Sequence, residues 1–350
     1  MNALLSLVAV LILAGIAWAG GALALLRPVF ALAVPAVAVS IFLVGVATRV
    51  VGWARTPVPF RIPTTCGQQR SLPWIKAAWI ESPWTRAGVA VRMALEVLLF
   101  RSLFRNTRGA ITTEPVAQGH GAPGAEEEAS PPRAARLVYG EEKWLWLAAL
   151  AFHWSFLIVL LRHLRFFLEP APALVGVLAA VDGFFQVGAP VVYATDIALL
   201  AALGYLFVRR VSDPQVRYIS LFQDYFALYL LIGLVVTGVL MRYFVRPDIV
   251  AIKQLTLGLV TFAPVVPSQV SPLFFVHLFL LSVLVAYFPF SNLMHMAGVF
   301  LSPTRNLANS NRMRRHVNPW DYPVKVHTYE EWEDEFRDKM KAAGLPVERA

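Results

Sequence analysis

Six runs of mostly apolar residues, 3–26, 29–53, 144–168, 190–210, 219–243 and 272–300, constrain this chain more than anything else in it. A helix needs about 20 such residues to cross the hydrocarbon of a bilayer. The chain is 57% hydrophobic and only 15% charged over 350 residues, too apolar for a soluble globular domain. The expectation is an all-α integral membrane protein with six transmembrane helices. The formal net charge of +9 does not point to nucleic acid. Arginines and lysines gather at the ends of the apolar runs, where they meet lipid headgroups and set orientation. A single cysteine, Cys66, rules out an intramolecular disulfide and any iron-sulfur or zinc site ligated by cysteines of this chain alone.

The charge pattern predicts a topology. Arg49, Arg55, Arg61 and Arg70 follow the second run, Arg209, Arg210 and Arg217 the fourth, and Arg305, Arg312, Arg314 and Arg315 the sixth. By the positive-inside rule these ends are cytoplasmic, as are both termini, in a multi-pass protein of the bacterial cytoplasmic (inner) membrane. The first run lacks a basic n-region and is read as a retained span, so residues 1–53 form two N-terminal helices. Residues 54–143 then make a cytoplasmic insertion. Within it 85–105 patterns as an amphipathic interfacial helix, and 106–140, rich in Gly, Pro, Ala and Glu, as a flexible linker containing His120. Residues 301–350 are a polar cytoplasmic tail. Its stretch YEEWEDEFRDKMKAAG reads as a helix with Trp332 and Phe336 on one face, a docking surface or a solvated tail.

Four of seven histidines fall inside apolar runs: His153 and His163 in the third, His277 and His295 in the sixth. An ionisable side chain in hydrocarbon is costly and marks a functional site by default. One such histidine is as readily an interhelical hydrogen bond, but two on each of two helices point to haem. A neutral ring nitrogen binds iron while the other N–H bonds an acceptor that fixes the ring. Two histidines on opposite faces leave the iron six-coordinate, suited to electron transfer. The bundle of 144–300 is therefore expected to hold two haem b groups, their dry walls including Trp154, Phe156, Phe274, Phe275 and Phe279.

With the third and sixth helices antiparallel, His153 pairs with His295 at the inner side and His163 with His277 at the outer side. The fit is imperfect. Ten residues rise about 15 Å and eighteen about 27 Å, and at about 100° per residue His163 lies about 80° round the helix from His153. A kink at Pro289 is expected to absorb part of the mismatch. Arg162, Arg165, Arg242 and Arg246 sit at the outer ends, where they are candidates for haem propionates, with headgroup snorkelling as the competing reading. Asp196, with Tyr193 one turn before it, is a candidate quinone site, because quinone chemistry moves protons with electrons. A structural Asp bonded to a neighbouring helix is the alternative.

Histidine pairs at ten- and eighteen-residue separations, on the first and last of four helices, resemble the dihaem cytochrome b subunit of respiratory nitrate reductase. The stretches EEKWLWLAALAFHWSFLIVLLRHLRFFLEP, SNLMHMAGVFLSPTRN and NPWDYPVKVHTYEEWEDEFRDKMKAAGLP resemble more narrowly the DsrM family of the DsrMKJOP complex in sulfur metabolism. That resemblance implies a redox subunit exchanging electrons between membrane menaquinone or ubiquinone and a cytoplasmic iron-sulfur subunit, DsrK, alongside DsrJ, DsrO and DsrP, without itself acting on the sulfur substrate. The extra first span and the long insertion depart from the nitrate reductase pattern, so quinone-site residues are not carried over from it. Two competing classes remain at this point. A proton- or ion-coupled transporter would use the same intramembrane His, Asp and Arg, although no internal repeat supports it. A zinc enzyme lacks HExxH or any close ligand cluster.

Overall fold

The computed structural model describes residues 1–56, 77–115, 133–186, 190–268, 270–302, 305–308 and 327–348. Cys66, His120, Arg61, Arg70, Arg312, Arg314 and Arg315 lie outside them. The chain divides into two units, Met1–Val46 with Met93–His295, and Ala47–Arg92 with Met296–Ala350. In chain order the helices begin with α1 (Asn2–Ala22), α2 (Val34–Arg55, led by a π turn at Val29–Ala33), α3 (Arg86–Leu99) and α4 (Arg101–Phe104). Strands β1 (Thr107–Pro115) and β2 (Arg133–Glu141) precede α5 (Lys143–Phe167), α6 (Ala173–Asp182), β3 (Gly183–Phe185) and β4 (Val192–Tyr193). Then come α7 (Ala194–Ser212), α8 (Pro214–Ile219), α9 (Phe222–Leu240, continued by a π turn to Val245), α10 (Ile249–Thr261), α11 (Pro272–Tyr287), α12 (His295–Leu301) and α13 (Tyr329–Ala342).

Five helices among the described residues are long and apolar enough to span a membrane: Asn2–Ala22, Val29–Arg55, Lys143–Phe167, Phe222–Val245 and Pro272–Phe290. The fourth expected run forms α7, whose 19 residues include Asp196, Arg209 and Arg210 and so leave a shorter apolar stretch. The sixth does not run unbroken to residue 300. Proline at 289 has no N–H to continue the ladder, and α11 gives way to 3₁₀ turns at Phe288–Phe290 and Asn292–Met294 before α12 begins at His295.

The first unit is a helical bundle that includes α1. This helix packs on α9 and α11, while α5 packs on α7 and α10, and α7 on α9. An expected core of four helices from 144–300 therefore gains a fifth from the N-terminus. Small residues let α1 approach closely, as packing in membranes favours. A Cβ on Gly21 would lie 2.7 Å from Phe275, a fully buried core residue. Ser6, also fully buried, donates to the Phe222 carbonyl at 2.8 Å and fixes the α1–α9 register.

Residues 106–140 are not wholly linker. β1 and β2 pair antiparallel from Thr107↔Glu141 to Pro115↔Arg133, so only 116–132 fall outside the description. Before them α3 ends at Phe100, which takes the left-handed conformation (φ 51°). The carbonyls of Leu98 and Leu99, left without helical partners, accept the indole N–H groups of Trp154 at 3.1 Å and Trp146 at 2.7 Å. This lays the end of the insertion against α5. In the second unit the buried Arg92 donates to the carbonyls of Glu81 and Leu307, each at 3.1 Å, and to that of Arg305. There α13 begins with a reciprocal Thr328–Glu331 capping box and carries a ladder of Tyr329, Trp332 and Phe336 rings.

Candidate functional site

The four histidines singled out from the sequence form two groups within the first unit. His153 of α5 and His295 at the start of α12 have ring centres 5.9 Å apart. His163, ten residues on in α5, lies within electrostatic range of His277 in α11. Each ring has one nitrogen engaged. Nδ1 of His153 meets the Ala149 carbonyl at 2.7 Å, that of His163 the Val159 carbonyl at 2.7 Å, and that of His295 the Asn292 carbonyl at 2.9 Å. His277 Nδ1 meets the Thr237 hydroxyl oxygen at 2.9 Å. A ring that donates Nδ1–H to an oxygen presents the Nε2 lone pair, the arrangement of a metal-binding imidazole with its orienting partner.

The surroundings fit a planar metal group. α5 and α11 are not among the extensively packed helix pairs of the described residues. His163 and His295 are exposed in the protein alone, and His153 and His277 half-buried. A metal–imidazole bond is about 2 Å, so two rings sharing one metal from opposite sides have centres roughly 6 Å apart. The His153–His295 spacing matches that. Among the described residues no three of His, Cys, Asp and Glu converge on a point. The histidines thus come as two pairs of imidazoles, a donor set that would suit an iron already held by a porphyrin. Phe100 and Phe152 meet His153 edge-on at 4.9 and 5.0 Å, and Gly238 faces His277, where a Cβ would come within 3.4 Å of Cε1. Phe100, from the insertion, escaped the sequence reading because it precedes the bundle by more than forty residues.

Beside His163 lies a buried polar cluster. The short β3–β4 pairing sets Gly183 against Tyr193 and so brings Asp182 to the start of α7. There Asp182 accepts the Thr195 N–H at 2.9 Å and its hydroxyl at 2.5 Å. Arg162 Nη2 bonds Asp196 Oδ1 at 2.9 Å and Thr195 Oγ1 at 3.2 Å. Its Nη1 stands 3.0 Å from Asp182 Oδ2, an ion pair without the alignment of a hydrogen bond. Tyr243 donates its hydroxyl to the other oxygen of Asp196 at 2.8 Å and accepts the Tyr193 N–H at 3.2 Å. The Tyr193 ring lies between two guanidiniums, 3.7 Å from Arg162 and 4.0 Å from Arg242.

The four arginines grouped from sequence thus part company. Arg162 is committed to two carboxylates and Arg242 donates to the Val191 carbonyl at 2.9 Å, yet Nε of each is buried with no acceptor among the described residues. Arg165 donates Nε–H to the Arg162 carbonyl at 3.0 Å, and Arg246 closes the π turn in the left-handed region (φ 48°). Sequence reasoning singled out Asp196 and Tyr193 but missed Asp182, Tyr243 and Thr195. Asp182 had a signal, as the only charged residue between Glu169 and Asp196.

Comparison with known proteins follows the same residues. A family model described as the nitrate reductase gamma subunit matches residues 135–315, which contain all four histidines. The Hdr-like menaquinol oxidoreductase cytochrome b-like subunit of Archaeoglobus fulgidus is 44% identical over 300 residues, covering 84% of this chain and 83% of the relative. Its counterpart of the same name in Archaeoglobus profundus is 39% identical over 296 residues, covering 83% and 82%.

Proposed function

This chain belongs to the nitrate reductase gamma subunit family, and on that premise we propose that it is the membrane cytochrome b of a multi-subunit quinol oxidoreductase, binding two haem b groups through His153 with His295 and His163 with His277. The observation that carries this reading is the four histidine rings, each with Nδ1 engaged. Haem held by these histidine pairs would supply one-electron transfer. The polypeptide holds the ligand rings in one tautomer, supplies aromatic walls, and at the His163 end offers the unpartnered Nε–H groups of Arg162 and Arg242 to propionate oxygens, with Arg165 and Arg246 nearby in sequence.

The His163 end is the proposed quinone site and the outer side. Asp196 is the residue that takes a proton there. Its side chain is 14% exposed against 6% for Asp182, and one of its oxygens is shared with the Tyr243 hydroxyl. Menaquinol is favoured over ubiquinol by the names of both relatives. The His153 end then faces the cytoplasm, with both termini, and passes electrons to an iron-sulfur subunit of the DsrK kind. DsrJ, DsrO and DsrP complete the narrower DsrM-type assembly in sulfur metabolism. The aromatic ladder on α13 is the proposed contact for that iron-sulfur subunit.

The test is a visible spectrum. The protein purified in detergent, after expression with ample haem, should show about two b-type haems per chain that become reduced on addition of a menaquinol analogue. A folded, colourless protein would defeat the reading and return the histidines to a transport or structural role.

A further inference from the structure

Three of the four histidines anchor Nδ1 on a carbonyl of their own helical segment, three or four residues back. His277 does not. Its Nδ1 meets Thr237 Oγ1, a hydroxyl on the neighbouring helix α9. From this asymmetry we infer that Thr237 is a positioning residue that sets the orientation and donor strength of His277 as a haem ligand. The inference rests on the haem reading above.

The direction of the bond follows from what else the hydroxyl does. Thr237 Oγ1 lies 2.8 Å from the Gly233 carbonyl and 3.0 Å from that of Leu234, the usual back-bonding of an intrahelical threonine. Its one proton is taken by a carbonyl, so it faces the histidine with a lone pair. His277 therefore carries its hydrogen on Nδ1 and presents Nε2. Thr237 is 8% exposed, and next to it Gly238 leaves room for the ring, since any Cβ there would press on Cε1. A hydroxyl oxygen is a weaker acceptor than a peptide carbonyl. Less electron density is pushed into the ring than at the other three ligands, and the metal it holds is correspondingly less stabilised in the oxidised state.

The test is redox titration and electron paramagnetic resonance of the haem-loaded protein with Thr237 replaced. Thr237→Val keeps the shape and removes the acceptor. It is expected to raise the potential of one haem, the one lost in His163→Leu. The reduced-to-oxidised ratio at a fixed ambient potential should move up to about tenfold, about 59 mV for one electron. The g-values of that haem should move as well, while the other haem stays unchanged. Thr237→Ser should restore both. A silent Thr237→Val overturns the inference, because the Leu234 carbonyl, which also stands close to the ring, would then suffice. A Ser variant shifted as far as Val also overturns it by reducing Thr237 to a packing role. If the valine protein does not fold, Thr237→Ala against Thr237→Ser decides by the same criterion. A wild-type protein without haem defeats the functional reading itself before any variant is made; a loaded wild type with a silent variant defeats this inference alone.

Discussion

Helix α5 carries two histidines, ten residues apart, in opposite kinds of surroundings. Around His153 the neighbours are aromatic: Phe100, Phe152 and His295 within ring contact, and two tryptophans tied to the end of α3. Around His163 lie Arg162, Arg242, Asp182 and Asp196, knitted through Thr195, Tyr193 and Tyr243, with Arg165 also within electrostatic range of the ring. Asp196 lies within electrostatic range of His163 itself. Burying charge, as at Arg162 and Asp182, costs several kcal/mol per ion unless each is paired and hydrogen-bonded, so a cluster like this persists where it serves a reaction or holds a joint. The aromatic surroundings would suit a step that moves electrons alone, and the charged ones a step that also moves protons.

The comparison breaks most sharply at the ligands. Replacing His163 or His277 by leucine should remove one haem and leave the other, and replacing His153 or His295 should remove its counterpart. A pyridine haemochrome assay should then read about one haem per chain instead of about two. Loss of both haems from a single folded variant would show that the two ends are not independent sites.

The next effect separates the two aspartates. Asp196→Asn should leave haem content intact but slow reduction by menaquinol about 10²- to 10⁴-fold, the usual worth of a positioned proton acceptor. Stopped-flow absorbance at the haem bands would measure it. Asp182→Asn removes a charge that caps the start of α7 and should lower stability rather than the rate. Equal slowing by both, at equal stability, would dissolve the distinction between reacting and structural carboxylate.

Arg162 should matter most for folding. With its side chain 7% exposed between two carboxylates, Arg162→Ala strands buried negative charge and should cost about 3–5 kcal/mol. Thermal unfolding in detergent would show it. Arg165→Ala, one turn on and half-buried, should change the midpoint little.

The histidines were legible because a polar residue in an apolar run stands out against its background. The partners of Arg162 were not. Asp182 reaches it through the β3–β4 pairing, which strands of three and two residues do not announce. The rise of eighteen residues between His277 and His295 looked too long because it assumed one straight helix. Pro289 and the two 3₁₀ turns interrupt that axis. The place of α1 in the core was hidden for another reason: a helix apolar on every side gives no sign of which face meets protein and which meets lipid. Its buried glycines and Ser6 were the clue, small or polar residues where lipid would accept any large side chain. Paired strands in the 106–140 stretch were hidden by the Gly, Pro and Glu content of residues 116–132.

The smallest effect concerns two glycines on neighbouring helices. Gly204 in α7 has nothing within 4 Å of where a Cβ would stand, so Gly204→Ala gains helix propensity alone and should stabilise by about 0.5–1 kcal/mol. Gly238→Ala gains the same propensity, but its methyl would lie 3.4 Å from His277 Cε1. The methyl would fill the space beside the ring and stop it tilting toward α9 on its bond to Thr237. Its net effect on the unfolding midpoint should be near zero or negative, accompanied by a change in the spectrum of the haem at that end. If both alanines raised the midpoint equally and left the spectrum alone, the gap beside His277 would be slack, and the glycine would be there for helix approach instead of for the ligand.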